Sequence, residues 1–116
     1  MNTNEEESPK AAEPIKYGDV FSVSGELAAA PIAPQDAAAV AAAEKSVLGV
    51  TPRSGVALVM KSAAEHNEQH GFVRHDDVTA AVKESGTEIA ETTVVGHRLI
   101  SESVGGQLLW RFTMDE

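Results

Sequence analysis

Alanine dominates the apolar residues of this chain, and alanine builds little core. Hydrophobic residues make up 42% of the 116, but 18 of them are alanine. Leu, Ile, Val and Phe together number 26, about 22% of the chain, and one Trp and one Tyr add the remaining aromatic surface. Below roughly 20% of these residues, with high net charge, chains tend not to fold alone. The formal charge here is −9, so the chain stands just above that line. Two outcomes are open: a small α+β domain of marginal stability, or a chain that is conditionally disordered in water.

Local signals give one candidate architecture. Residues 1–13 are polar and acidic with no period, and are expected to form a disordered tail. Gly18, Gly25, Pro31 and Pro34 break the next stretch. Within it, Val20–Val23 reads as a short extended piece and Ser24–Ala30 as one or two helical turns. A helix is predicted from Pro34 to Leu48. Proline suits the first helical position, Asp36 meets the positive end of the dipole, and Gly49 can take the left-handed stop. Its expected inward stripe is Val40, Ala43 and Val47. A second helix is predicted from Gly55 to His70, capped by Ser54, with Val56, Val59, Met60, Ala63 and Asn67 inward. A third, shorter helix should start at His75-Asp76-Asp77, capped by Asp76, and stop at Gly86.

The last third is richer in Thr, Val and Ile. Thr87–Val95, Arg98–Val104 and Gln107–Thr113 read as three strands, with turns at Gly96-His97 and Gly105-Gly106. In the middle strand Ile100, Glu102 and Val104 share one side. The predicted fold is an antiparallel helical hairpin plus a short helix, packed on a C-terminal three-stranded antiparallel meander. Residues 14–113 form the single module, and 114–116 a tail.

Little in this sequence points to catalysis. There is no cysteine, so no thiolate nucleophile or disulfide. There is no phosphate-binding loop, nucleophile elbow or dinucleotide fingerprint. His66 and His70 lie one helical turn apart, with His75, Asp76 and Asp77 nearby in sequence, and could begin a zinc or copper shell. The metalloprotease pattern needs Glu directly after the first His, and Asn67 stands there. These residues therefore read as a solvated face, and no catalytic, cofactor or metal residue is assigned. Glu5-Glu6-Glu7 and Asp76-Asp77 read as solvated tail and helix cap, because neighbours on a helix diverge. Trp110 reads as a core strand position rather than a surface anchor. Net negative charge disfavours nucleic acid and anionic membranes as partners. The N-terminus lacks a signal peptide's basic start and apolar stretch, and the longest apolar runs, Leu27–Ala33 and Ala37–Ala43, are seven residues. A soluble chain in the cytoplasm is expected, with the nucleus open to a chain this small. Its oligomeric state is not specified.

The residues also carry a family pattern. Ile15-Lys16-Tyr17-Gly18-Asp19-Val20-Phe21-Ser22-Val23-Ser24-Gly25-Glu26-Leu27-Ala28 resembles the opening of the seed maturation protein subgroup of late embryogenesis abundant proteins. Pro31-Ile32-Ala33-Pro34-Gln35-Asp36 and the alanines after it, Ala43-Glu44, Val47-Leu48-Gly49, Ser62-Ala63-Ala64 and Asn67-Glu68 continue the resemblance. So do His75-Asp76-Asp77-Val78-Thr79, Thr87-Glu88-Ile89 and Val104-Gly105-Gly106-Gln107. The resemblance implies a plant protein of drying seeds or stressed tissue, non-enzymatic, that shields client proteins by weak, non-specific contact. It supplies no catalytic residues. Longer members carry several copies of the module, and this chain has room for one. A drying protectant that gains helix as water leaves is the leading expectation. The alternative is a stably folded α+β interaction module with a defined partner.

Overall fold

A computed structural model describes residues 12–115. The acidic tail expected over residues 1–13 falls outside that range except for Ala12 and Glu13. Five helices precede three strands: α1 (Tyr17–Val20), α2 (Gly25–Ala29), α3 (Pro34–Leu48), α4 (Ala57–Gln69), α5 (Ala80–Ser85), β1 (Thr87–Val94), β2 (His97–Val104) and β3 (Gln107–Asp115). The strands form an antiparallel sheet in the order β1-β2-β3. The α3–α4 pair, with α5, packs on this meander, mainly through α3 against β1. The α+β arrangement expected from the sequence is therefore the observed one.

Helix α3 has the predicted bounds because its signals are local. Pro34 opens it, Asp36 sits in its first turn, and Gly49 ends it with φ of 84°. Its buried face differs from the expected stripe. Asp36, Ala37, Val40, Glu44 and Leu48 point inward, while Val47 is exposed. Two carboxylates thus occupy positions that a hydrophobicity pattern assigns to solvent. In α4 the buried residues are Ala57, Met60, Ala63, Ala64 and Asn67, with Val56 just before them, and Val59 is exposed. The many alanines let the two helices lie close, at the cost of little apolar area.

Four further expectations are corrected. Tyr17–Val20 is a helical turn, so the extended piece begins only at Phe21. Val56, not Ser54, precedes the first residue of α4, and its N-terminus is satisfied from another helix. The third helix starts at Ala80, not near His75, because Asp77 instead closes a tight turn by accepting the Arg74 N–H at 2.8 Å. In the sheet, the first turn is Val95-Gly96, and His97 already belongs to β2.

Two buried polar side chains tie the chain's crossings together. Asp36 is fully buried and reaches back to the Ala33 N–H at 3.3 Å, as an N3 carboxylate does. It also accepts the Tyr17 hydroxyl at 2.7 Å and the Thr79 N–H at 2.8 Å, and the Thr79 hydroxyl bonds it as well. One carboxylate thereby joins α1, α3 and the approach to α5. Burial and the Asp36 charge push the Tyr17 phenol well above its ordinary value, so it stays a donor. Asn67 is equally buried. Its Oδ1 accepts the Ile15 N–H at 2.7 Å, and its amide donates to the Ile15 and Ile32 carbonyls, both at 2.9 Å. Ile15 and Ile32 also bond each other, Ile32 N–H to Ile15 O at 3.0 Å. Asn67 therefore pins the N-terminal segment to α4.

The sheet buries one face. Ile100, Glu102 and Val104 point to the helices, and the opposite face carries Ser101 and Ser103. Toward the far end that inward face becomes solvated, and Arg98 clamps Glu91 through bonds of 2.6 and 3.2 Å. That pairing holds the Glu91 carboxyl below its usual range. A bulge lies between Glu102 and Ser103, where Ser103 pairs with Leu108 but Glu102 pairs with Trp110. The extra residue, Leu109, turns into the core. Gln107 exchanges two bonds of 2.9 Å with the Ser24 backbone, fastening β3 to the α1–α2 loop.

Replacing Asn67 by Leu removes donors and acceptors from three buried backbone groups. Asn67→Leu should lower unfolding free energy by about 3 kcal/mol. Urea denaturation followed by circular dichroism measures this, and a loss under about 0.5 kcal/mol would show that the anchor is dispensable.

Candidate interaction surface and buried acid pair

The histidines singled out by spacing do not assemble a metal shell. His66 donates from Nε2 to the Glu13 carbonyl at 3.1 Å, and His70 from Nδ1 to the His66 carbonyl at 2.9 Å. Their rings stand 4.4 Å apart, and His70 stacks on Phe72 at 6.1 Å. His75 meets Glu68 at 3.4 Å, with both side chains exposed. Asp76 is exposed and caps nothing in α5. Among the described residues, no group of three or more His, Cys, Asp or Glu side chains could hold a metal ion. Glu5-Glu6-Glu7 lies outside the described residues.

Trp110 overturns its expected core position: it is 52% exposed. It sits on an edge strand, beside Val59 of α4 and Val20 of α1, and these three with Arg53 line a shallow depression of about 190 Å³. A second shallow depression, about 410 Å³, lies along the α3–α4 seam over Ala37, Ala41 and Leu58, rimmed by Lys61, Glu65 and Glu68. A third, about 490 Å³, has Leu27, Phe72 and Val78 in its walls and Glu26, Asp77 and Glu84 at its edge. None is a deep cavity with converging polar groups of the kind that holds a small substrate. Together they present small apolar areas separated by charge, which suits brief contact with exposed apolar surface on other proteins.

Beneath Gly55 the sequence hides a second feature. Glu44 of α3 and Glu102 of β2 are 0% and 1% exposed. Glu44 Oε2 accepts the Ala57 N–H at 3.2 Å, so α4 is capped by a carboxylate thirteen residues earlier in the chain. Burial, and then the neighbouring Glu44 carboxyl, push Glu102 up to about 8, partly opposed by the Val56 backbone N–H. The sequence carried a signal for both residues. Glu44 lies one turn from Val40 and from Leu48, and Glu102 lies between Ile100 and Val104 on the inward side of β2. Gly55 leaves room for the pair: a Cβ there would stand 2.8 Å from Glu102 Oε2 and 3.0 Å from Glu44 Cδ, so the carboxyls would have to shift.

These surface depressions and buried acids belong to a folded α+β module; among the described residues no helix is long and apolar enough to cross a membrane. Residues 15–70 match the family model described as seed maturation protein. The chain is 56% identical over 100 residues to late embryogenesis abundant protein D-34 of Gossypium hirsutum, covering 86% of this chain and 38% of that one. It is 49% identical over 110 residues to late embryogenesis abundant protein 31 of Arabidopsis thaliana, covering 94% and 42%. Late embryogenesis abundant protein 32 of the same plant is 48% identical over 106 residues, covering 91% and 41%. The chain belongs to the late embryogenesis abundant proteins, in the seed maturation protein group. It spans about two fifths of the length of these curated relatives. No solved structure matches it.

Two substitutions in the lining of the same depression should separate surface from core. Trp110→Ser should change stability by less than about 1 kcal/mol, whereas Gly55→Ala should cost about 2–3 kcal/mol by driving a methyl into two carboxyl groups. Thermal unfolding of the two variants checks this, and equal losses would contradict the placement of Trp110 at the surface.

Proposed function

We propose that this chain is a non-enzymatic protectant that shields proteins during water loss in seeds. The observation that carries this reading is the spread of shallow apolar depressions, each edged by charge, over a surface of net −9. Apolar floors can cover newly exposed hydrophobic surface on a client, and the charged rims keep the covered client apart from its neighbours. Small, shallow contacts give weak binding with little selectivity, which fits many clients better than one. The names of the relatives support a seed-associated role. A chain spanning two fifths of those proteins must be tested by itself.

Drying adds a second element to the reading. As water leaves, backbone N–H and C=O groups lose solvent partners, and internal hydrogen bonding gains weight. The alanine run of α3 has high intrinsic helix propensity and resists loss of its helix under those conditions. The module would then enter the dry state with its shielding surface intact.

A second reading has one observation in its favour. The Trp110, Val59 and Val20 depression places a large aromatic beside two aliphatic side chains and Arg53, a composition common at the centre of specific interfaces. On that reading the module docks one defined partner.

A drying-sensitive enzyme, dried and rehydrated with this protein, should recover clearly more activity than with an equal mass of an inert globular protein. Trp110→Ser should reduce that protection only in part, since three depressions contribute. Recovery equal to the control would remove the protectant reading. Complete loss on the single substitution would favour one specific docking site.

A further inference from the structure

Three carboxylate oxygens in this fold make no full hydrogen bond, although the Val56 N–H lies near enough to Glu102 to favour its ionised form. Glu44 Oε1, Glu102 Oε1 and Glu102 Oε2 are buried and lack a hydrogen-bond partner among the described residues. Both side chains crowd the same point: each has an oxygen or carbon within 3.0 Å of where a Cβ on Gly55 would be. Two buried acceptors pressed together, with no cationic side chain packed between them among the described residues, form a stable contact only if one carries a hydrogen. Among the described residues the surroundings supply no buried positive side chain. α4 contributes the backbone N–H groups of Val56 and Ala57. β1 and β3 place Ile89 and Trp110 beside Glu102 in register. Arg53 lines the depression that Gly55 also lines, but its side chain is exposed, as are Lys45 on α3 and Lys83 on α5. Glu88 and Glu91 on β1 are exposed too, and Glu91 is held by Arg98.

We propose that Glu44 and Glu102 share one proton and act as a proton-operated latch between the helical hairpin and the sheet. The residues sit on three joints at once: α3 through Glu44, the first turn of α4 through Ala57, and β2 through Glu102. With the proton present, a carboxyl-to-carboxylate hydrogen bond closes α3 against β2 and leaves Glu44 Oε2 free to cap α4. When the proton leaves, two like charges face each other out of water, and the seam is pushed apart. A divalent cation is a poorer occupant, because the positive N-terminal end of α4 points at the pair. The latch borders the Val20, Val59 and Trp110 depression through Gly55, so loosening it should also enlarge that apolar surface.

The direction of the pH effect follows from linkage. Burial lifts Glu102 from 4.5 to about 8. The folded chain therefore keeps a proton that the unfolded chain releases over that interval. The latch's contribution is complete below about 4.5, declines as pH rises toward 8, and is gone above it. The decline amounts to at most about tenfold in the folding equilibrium constant per pH unit.

The decisive experiment is a carbon-13 NMR titration of glutamate side-chain carboxyls in the full chain, with unfolding by urea measured from pH 5 to 9. One carboxyl assigned to Glu44 or Glu102 should titrate with a midpoint above 7. The pH dependence of wild-type stability should exceed that of Glu102→Gln by close to one proton, and amide exchange at Ala57, corrected for intrinsic rate, should speed up with pH only in wild type. If both carboxyls titrate below 5.5, or if Glu102→Gln keeps the full wild-type slope, the latch does not exist. Should Glu102→Gln fail to fold, Glu44→Gln serves as the second variant, and the wild-type carboxyl titration decides without either.

Discussion

Two crossings of this chain are fastened by buried polar side chains, Asp36 and Asn67, where the apolar side chains are too small to fix the arrangement by shape alone. Alanines at 37, 57, 63 and 64 bring helices close but present few atoms to interlock. Asp36 and Asn67 supply the missing specificity. Each is fully enclosed, and each satisfies backbone groups from segments distant in sequence. A typical net gain is only about 1 kcal/mol per hydrogen bond, but an abandoned buried partner costs about 1–3 kcal/mol. These anchors therefore select this arrangement against slipped alternatives more than they add gross stability. Tyr17 shows the same logic, since its ring fills the core and its hydroxyl ends on Asp36.

The division between what the sequence disclosed and what it hid follows the range of the interactions. Pro34–Leu48 was legible because a first-position proline, an acidic first turn and a terminal glycine all lie within the helix itself. The meander was legible because alternation and the Gly105-Gly106 turn are local as well. The inward face of α3 was not, since nothing near Glu44 in the chain announces that its partners are Ala57 and Glu102. The same holds for the start of α4, where a serine at position 54 is the local favourite and a carboxylate from α3 takes its place. Trp110 was misplaced for a different reason. A bulge lets Leu109 enter the core, and Trp110 lies at the sheet's edge, where helix cover runs out. Composition gives no sign of either.

Surface and interior divide the acidic residues between two tasks. Carboxylates at Glu26, Glu65, Glu68, Asp77 and Glu84 line the apolar depressions, and in the proposed shielding role they would keep neighbouring molecules apart. A shielding protein needs both properties together, because an apolar surface without a charged rim would join its clients into aggregates. The shallow form of the depressions matters equally. A deep, well-ordered pocket would bind one partner tightly, and a tightly held client is not released on rehydration.

The unsatisfied acid pair is a place where local rules and the global fold disagree at a cost. A carboxylate capping a helix is favourable, and a glutamate alternating inward beside Ile100 and Val104 is not. Such conflicts are expected where a fold trades stability for something else. The trade is affordable only because a neutral acid is a passable core residue whereas an ion is not. In a large apolar core, the repulsion of one ionised pair would be absorbed by surrounding contacts. Here the core is mainly alanine and valine, so the state of a single proton weighs heavily against the total. The poverty of the core and the leverage of the pair have the same origin.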